Sequence, residues 1–353
     1  MRSKEKKRLK KNITMKDLAA YLEIDRTTVS KALTGAPGVS PKTIEKVREA
    51  AERLGYKKDS FASSLQTGKN SVLGLLLADF RRGIYAPLIE AFQHTAMKHQ
   101  YSTILYYVNR GQDDWISAIE MLKQQRISGA TFISAAATAG LNDYLDDFLK
   151  NGITVNTLER NYADRQIDLV ALNHRQAGYD LTNHLIALGH RSIVFMTFAD
   201  IKGTPEGRLQ GYDEAMRSAG LQPMVIAEDK PVSHASGDEM LLAYERLKLA
   251  WDRLDKPTAF IGVNDNFALG MMHALKEKHI SVPGEVSVAG FDDLNAALAI
   301  PQLTTMRSPM RQSGAMLAEL LIRRIQQSNL PASTHMMDYD IVARSSTGPA
   351  PID

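Results

Sequence analysis

The chain has no cysteine among its 353 residues. That excludes disulfides, cysteine-ligated zinc and a cysteine nucleophile. It also has no run of 18 apolar residues, and no apolar segment follows the basic N-terminus. Neither a membrane span nor a secretory signal is expected, which points to a cytoplasmic protein. Phosphate-binding loops of the G-x-G-x-x-G or G-x-x-x-x-G-K-[ST] type are missing, as is a G-x-S-x-G nucleophile elbow. His94 and His99 are five apart and do not share a helix face. His184, His190, His273 and His279 show no metal-ligand spacing with carboxylates. No catalytic constellation, metal or cofactor is expected.

What is present is an ordinary globular composition, 44% hydrophobic and 24% charged, in a chain long enough for two or three domains. The net charge of +3 hides an asymmetry. Residues 1–70 hold 17 of the 43 Lys and Arg but only 8 of the 40 Asp and Glu, leaving 26 basic against 32 acidic residues in the remainder. A basic head on an acidic body is the electrostatic footprint of a nucleic-acid-binding domain attached to something else.

Within that head, Thr14 with Asp17 three residues on has the spacing of a capping box, and Leu18 and Leu22 fall on one inner face. Asp25 is a good cap for a second helix, and Ser40-Pro41 opens a third that stops at Gly55. Three short helices, the first two joined by a tight turn, are the pattern of a helix-turn-helix DNA reader. On the second helix Arg26, Thr27, Ser30 and Lys31 fall at about 0°, 100°, 40° and 140° at 3.6 residues per turn. They share one face, while Val29 and Ala32 turn inward. Arg and Lys can reach guanine edges, and Thr a base edge or thymine methyl. A solvated polar helix in a small bundle is the competing reading.

The blocks Ile13-Thr14-Met15-Lys16-Asp17-Leu18-Ala19, Thr28-Val29-Ser30-Lys31-Ala32-Leu33-Thr34-Gly35, Val39-Ser40 and Leu54-Gly55-Tyr56 resemble the DNA-binding domain of the lactose-repressor (LacI/GalR) family in sequence and spacing. The resemblance implies DNA contacts from Thr14, Arg26, Thr27, Thr28, Ser30 and Lys31. It further implies a hinge helix at 59–70, in which Ser64 and Leu65 meet DNA and Leu65 wedges open the operator centre. The family has Arg where this chain has Ser63, so one contact is lost. Residues 1–12 are a basic arm beyond the family pattern, either a phosphate-seeking tail or a solubilising one.

From Ser71 short apolar runs alternate with amphipathic helices. Runs at 72–78, 102–108, 129–135, 153–158, 192–198, 224–227, 259–263 and 286–291 are strand-like, with helical segments such as 86–100, 114–125, 175–189, 206–219 and 236–254 between them. Repeated βα units imply parallel sheets covered on both faces, with a ligand at the C-terminal strand ends. The overall expectation is an α/β protein: an all-α helix-turn-helix domain (13–58) and a hinge (59–70), then a doubly wound two-subdomain core similar to periplasmic sugar-binding proteins. Blocks such as Gly207-Arg208-Leu209-Gln210-Gly211-Tyr212 and Val288-Ala289-Gly290-Phe291-Asp292-Asp293 extend the family resemblance through the core. By analogy the first subdomain covers 71–190 and 307–330, the second 191–303 and 338–348. No leucine-heptad tail follows, so a homodimer is expected.

For the core, the resemblance implies an effector site formed by Arg208, Asp292 and Asn264. Each has a rival reading: a surface arginine for the first, a helix cap for the other two. Ile84, Tyr85 and Pro87 would supply an apolar and aromatic wall, unless Tyr85 packs into the core. Ser134 is the polar residue of the strand end Ile133-Ser134-Ala135-Ala136-Ala137. Arg81 and Arg82 with Arg208 could form an anion-binding mouth, or stand as a solvated loop pair. The expected partners are a near-palindromic double-stranded operator and a small-molecule effector, a sugar or a phosphorylated or acidic sugar, with a protein co-regulator possible and no membrane. The expected function is a transcription repressor of this type. A non-catalytic solute-binding module with non-specific nucleic-acid attachment is the alternative.

Overall fold

The computed structural model describes residues 13–56, 70–77, 83–108, 112–133, 141–159, 165–198, 204–227 and 238–352. It divides into two compact units, Met1–Asn70 and Ser71–Asp353.

In the first unit α1 (Met15–Leu22), α2 (Arg26–Thr34) and α3 (Pro41–Leu54) each start at a side-chain cap: Thr14, Asp25 and Ser40. Thr14 and Asp17 form a reciprocal capping box, with the Thr14 N–H donating to Asp17 Oδ2 at 2.9 Å and the Asp17 N–H donating to Thr14 Oγ1 at 3.3 Å. Such caps contribute roughly 1 kcal/mol each. Glu23, Gly35 and Gly55 close the three helices in the left-handed region. Leu18, Leu22, Val29, Ala32, Val47 and Ala50 form one small buried core.

The second unit holds two six-stranded sheets. The first contains β1 (Val72–Leu77), β2 (Ser102–Tyr107), β3 (Gly129–Ile133), β4 (Thr154–Leu158), β5 (Asp168–Leu172) and β11 (Thr334–Met337), in the order β11-β5-β4-β3-β1-β2. Its helices are α4 (Ala86–Lys98), α5 (Gln112–Gln124), α6 (Leu141–Lys150) and α11 (Met310–Gln326). The second contains β6 (Ile193–Thr197), β7 (Met224–Ala227), β8 (Ala259–Gly262), β9 (Ser287–Asp292), β10 (Thr304–Arg307) and β12 (Asp340–Val342), in the order β12-β10-β9-β8-β6-β7. Among the described strands only β12 runs antiparallel to its neighbour. Alternate residues of β1 serve opposite faces: Leu73, Leu75 and Leu77 join the core containing Phe92 and Leu317, whereas Leu76 joins the one containing Trp115 and Phe148. That alternation is what a sheet covered on both faces requires.

Four strands lie outside the apolar runs expected from the sequence. β5 begins with Asp168, whose buried carboxylate is satisfied by two hydrogen bonds of 2.7 and 2.8 Å from Arg324 of α11 and by the N–H and hydroxyl of Ser333. β10 is Thr-Thr-Met-Arg, and β11 and β12 are short and largely exposed edge strands.

The subdomain boundaries also differ from those expected by analogy. The helix after β5, α7 (His174–Ala187), packs against α8 (Thr204–Ser218) of the second lobe, so the chain crosses at 172–174 rather than near 190. The reason is two glycines. A Cβ at Gly178 would lie 2.1 Å from the Arg208 carbonyl oxygen, and one at Gly211 would lie 1.9 Å from that of Arg175. The two backbones therefore touch, which no other residue permits. The later return to the first sheet also runs further than 330, through β11 to Met337, because β11 pairs with β5. The lobes are thus 71–172 with 310–337, and 174–307 with 340–348.

Helix propensity alone favours alanine over an internal glycine by about 1 kcal/mol. Gly178→Ala is nonetheless expected to destabilise the core by about 1–3 kcal/mol through overpacking. Urea unfolding of the full chain checks this; a stabilised variant would show that α7 and α8 separate freely.

Candidate functional site

The exposed face of α2 carries Arg26, Thr27 and Lys31, with Ser30 half-buried beside them, while Val29 and Ala32 are fully buried. Thr28 is committed locally: its N–H and hydroxyl both donate to Asp25, at 2.8 and 2.5 Å. Those bonds hold the Asp25 carboxyl below its ordinary range, the hydroxyl contributing most. Thr14 is likewise engaged in its capping box. Ser64 and Leu65 of the expected hinge, and Arg81, Arg82 and Ser134 of the expected pocket, lie outside the described residues.

In the core, Arg208 on α8 is 3% exposed. Its Nη1 donates to the Val263 carbonyl at 2.6 Å, and its Nη2 to Asp292 Oδ1 at 2.6 Å and to the Tyr339 hydroxyl at 3.2 Å. The guanidinium also lies over the Phe291 ring, 4.6 Å from its centroid. Burial works against the charge, but Asp292 and Tyr339 more than offset it, holding the pKa above that of an ordinary arginine. The surface-helix alternative for Arg208 does not apply to this geometry. Its Nε remains without a hydrogen-bond partner among the described residues, as do the buried hydroxyls of Thr197, which ends β6, and Ser308, just past β10. Both lie at the C-terminal strand ends of the second lobe, the edge where doubly wound sheets bind ligands.

Asp292 ends β9 at a φ of 108°, and Asp293 and Asn295 also take positive φ, 57° and 59°. A non-glycine residue persists there only when its surroundings over-determine it. Asp265 supplies part of that hold, accepting from the Leu294 N–H at 2.6 Å and from the Thr305 hydroxyl at 2.6 Å. Burial, reinforced by Asp292 and Asp293, pushes the Asp265 carboxyl well above the usual carboxylate range despite those donors. Arg344 and Arg307 bind Asp293 at 2.7 and 2.8 Å.

Asn264 takes its capping role. Its side-chain oxygen accepts from the Phe267 N–H to start α10 (Asp265–Glu277), and its amide nitrogen donates to buried Glu239 at 3.0 Å. Ile84 and Tyr85 fall in a short 3-10 turn, Gly83–Tyr85, and are half-buried against the core; Pro87 sits in the first turn of α4. Gly83 faces the Leu294 side chain from the other lobe, so these two loops meet.

Three residues that the sequence did not single out join Arg208 and Asp292. Glu159 follows β4, His174 opens α7, and Tyr339 bridges β11 and β12. A carboxylate immediately after a buried strand drew attention to Asp292, and the same signal was available at Glu159. Tyr339 carried none, because its flanking strands are not hydrophobic runs.

Residues 14–59 match the family model for bacterial regulatory proteins of the lacI family, and residues 182–347 that for the periplasmic binding protein-like domain. Catabolite control protein A of Priestia megaterium is 28% identical over 345 residues, covering 95% of this chain and 99% of that protein. The HTH-type transcriptional repressor PurR of Vibrio cholerae is 29% identical over 338 residues, covering 94% and 97%. The solved Lac repressor dimer bound to operator and the anti-inducer ONPF shares the fold with a TM-score of 0.77 at 23% identity, covering 96% of this chain and 100% of that one. A helix-turn-helix unit followed by a two-lobed core of this kind defines a transcription regulator that carries a ligand-binding core, not an enzyme. The chain belongs to the LacI family of bacterial regulatory proteins.

Removing one partner of a buried ion pair strands the other, at a cost of about 3–5 kcal/mol. Asp292→Ala is expected to show a loss of that order in denaturant unfolding. The double variant Arg208→Met/Asp292→Ala should lose less than the two single losses combined. Additive losses would mean that the two side chains do not depend on each other.

Proposed function

We propose that the protein is a homodimeric repressor that binds a near-palindromic operator and is controlled by a small molecule held between the two core lobes. Arg26, Thr27 and Lys31 read the major groove of each half-site; Ser30, the cap Thr14, and Thr28, which bonds the Asp25 cap, set the helices against the backbone. Leu65 from each subunit opens the centre, with Ser64 beside it. The exposed face of α2 supports this assignment, because its polar side chains project away from a core that takes Val29, Ala32 and Leu33. A second copy is supported by apolar groups on the first lobe: Tyr107 on the outermost strand of the sheet, and Met97, Ile116 and Met121 on the helices before and after it, are all exposed.

The observation that carries the effector site is a fully buried arginine whose Nε has no partner among the described residues, beside a carboxylate held in a strained backbone. Polar groups of that kind suit a ligand rich in hydroxyls, which both donate and accept. Asp292 already balances the charge of Arg208, and Glu159 adds a further carboxylate. A neutral sugar or polyol therefore fits the described wall better than a phosphorylated or acidic one, whose binding would fall to Arg81 and Arg82. Asn264, Ile84, Tyr85, Pro87 and Ser134 then shape the wall around it.

Each of Arg26→Ala and Lys31→Ala is expected to cost about 1–3 kcal/mol in specific binding. Leu65→Ala should weaken binding and reduce the DNA bend. Selection of bound duplexes from a random pool, followed by titration of the variants, checks all three. Equal affinity for selected and random DNA would instead favour a solute-binding module with a basic tether. For the ligand, a thermal-shift panel of neutral sugars, sugar phosphates and sugar acids is expected to show a rise that grows with concentration for a neutral member. A response to sugar phosphates alone would return the cleft to the anion-binding reading.

A further inference from the structure

Two of the three segments that join the lobes run side by side. Leu172 pairs with Met337, and the Asn173 N–H donates to the Met337 carbonyl at 2.9 Å. One residue further, the Asn173 amide donates to Asp338 Oδ1 at 2.8 Å, and the His174 Nδ1 lies 2.9 Å from the Tyr339 hydroxyl. The same hydroxyl receives Arg208 Nη2. On its far side His174 Nε2 lies 2.5 Å from Glu159 Oε2, and Glu159 Oε1 accepts the Leu172 N–H at 2.7 Å. Asp292, Arg208, Tyr339, His174 and Glu159 thus form one continuous chain of hydrogen bonds. It begins at the second lobe's candidate effector site and ends on the last residue of a first-lobe strand.

Counting protons gives this chain a direction. A guanidinium can only donate, and a carboxylate can only accept. Arg208 therefore donates to the Tyr339 oxygen, and the Glu159 carboxylate takes the hydrogen of His174 Nε2, so in the neutral imidazole Nδ1 accepts the Tyr339 hydrogen. The imidazole is left as the tautomer with its hydrogen on Nε2, which donates to Glu159. Burial pushes the Tyr339 phenol up to about 12, against the opposing pull of Arg208, so its hydrogen is retained at neutral pH. From Arg208 to Glu159 the three hydrogen bonds point the same way, with Asp292 and the Leu172 N–H closing the two ends, and adjacent bonds in such a series polarise one another. The Tyr339 ring is held as well, 5.7 Å from the His174 ring centroid and 5.7 Å from the Arg208 guanidinium carbon. Asp338, Asp292 and Glu159 are the acidic groups around it; Arg208 is the cation.

We propose that Tyr339 is a positioning residue that sets the angle between the lobes, its hydroxyl transmitting the arrangement of the Arg208–Asp292 pair through His174 to Glu159. A ligand group that draws Asp292 or Arg208 into new hydrogen bonds alters the bond to Tyr339, and the two crossing strands respond together. Coupling of this kind needs a specific physical connection between the site and the moving element, and here that connection is a single hydroxyl. The consequence for effector control rests on the proposed function of the cleft, but the geometry does not.

The test therefore uses neither effector nor DNA. Because the chain has no cysteine, the double variant Lys150→Cys/Lys276→Cys carries spin labels at one exposed position on α6 and one on α10, one per lobe. Distances are measured by pulsed electron resonance on full-length protein, with singly labelled controls to separate distances between protomers. Tyr339→Phe keeps the ring and removes the hydroxyl; it is expected to shift the interlobe distance or add a second population. Glu159→Gln, at the other end of the chain, should produce the same change, and the two substitutions together should go no further than either alone. A distance distribution in Tyr339→Phe that superimposes on the wild type would overturn the proposal, whatever happens to the melting temperature. So would independent changes that add in the double variant. Either outcome would leave the effector site itself standing, since that is decided by the thermal-shift panel.

Discussion

The second unit depends on how one buried cation is satisfied. Arg208 sits where water cannot reach it, and an uncompensated guanidinium there would outweigh much of the margin by which a domain is stable. Asp292, the Val263 carbonyl, Tyr339 and the Phe291 ring each remove part of that cost. These partners come from three separate parts of the chain, so satisfying Arg208 fixes the ends of β8 and β9, the crossing before β12 and the start of α8 relative to one another. Asp292 meets Nη2 from a backbone at a φ of 108°, a conformation that most residues avoid.

A second constraint acts at longer range. Helices α7 and α8 meet through Gly178 and Gly211 with no side chain between them. Their contact carries α7 onto the second lobe and brings His174, at its N-terminus, close to both Glu159 and Tyr339. Backbone packing thereby places a polar group at the joint between lobes. The buried Arg324–Asp168 pair does comparable work in the first lobe, pinning α11 and the 330–333 segment to β5.

The DNA-reading unit was almost wholly legible beforehand. Its caps, its helix ends and the inward turn of Val29 and Ala32 are local matters, decided within about four residues by hydrogen-bonding capacity and periodicity. In the core, the eight hydrophobic strands were visible for a similar reason. Of the four that were not visible, β10 is polar, β11 and β12 lie at sheet edges, and β5 is a short apolar run opened by a buried aspartate; their pairing is with neighbours far away in sequence. Among candidate site residues, Arg208 and Asp292 do meet. Asn264 turned out to be held as a helix cap by Phe267 and Glu239, the rival role its position before a helix had already suggested.

Local order, the charge division between head and body, the alternation of strands and helices, and the motifs of a LacI-family regulator are all properties of the sequence by itself. They depend on interactions that short spacing makes unavoidable. Where the chain changes lobes, which carboxylate answers which arginine, and the joining of His174 to Tyr339 were decided only in three dimensions. Those outcomes turn on close approach between distant segments: a Cβ absent at Gly178, a hydroxyl present at Tyr339. No periodicity along the chain records them.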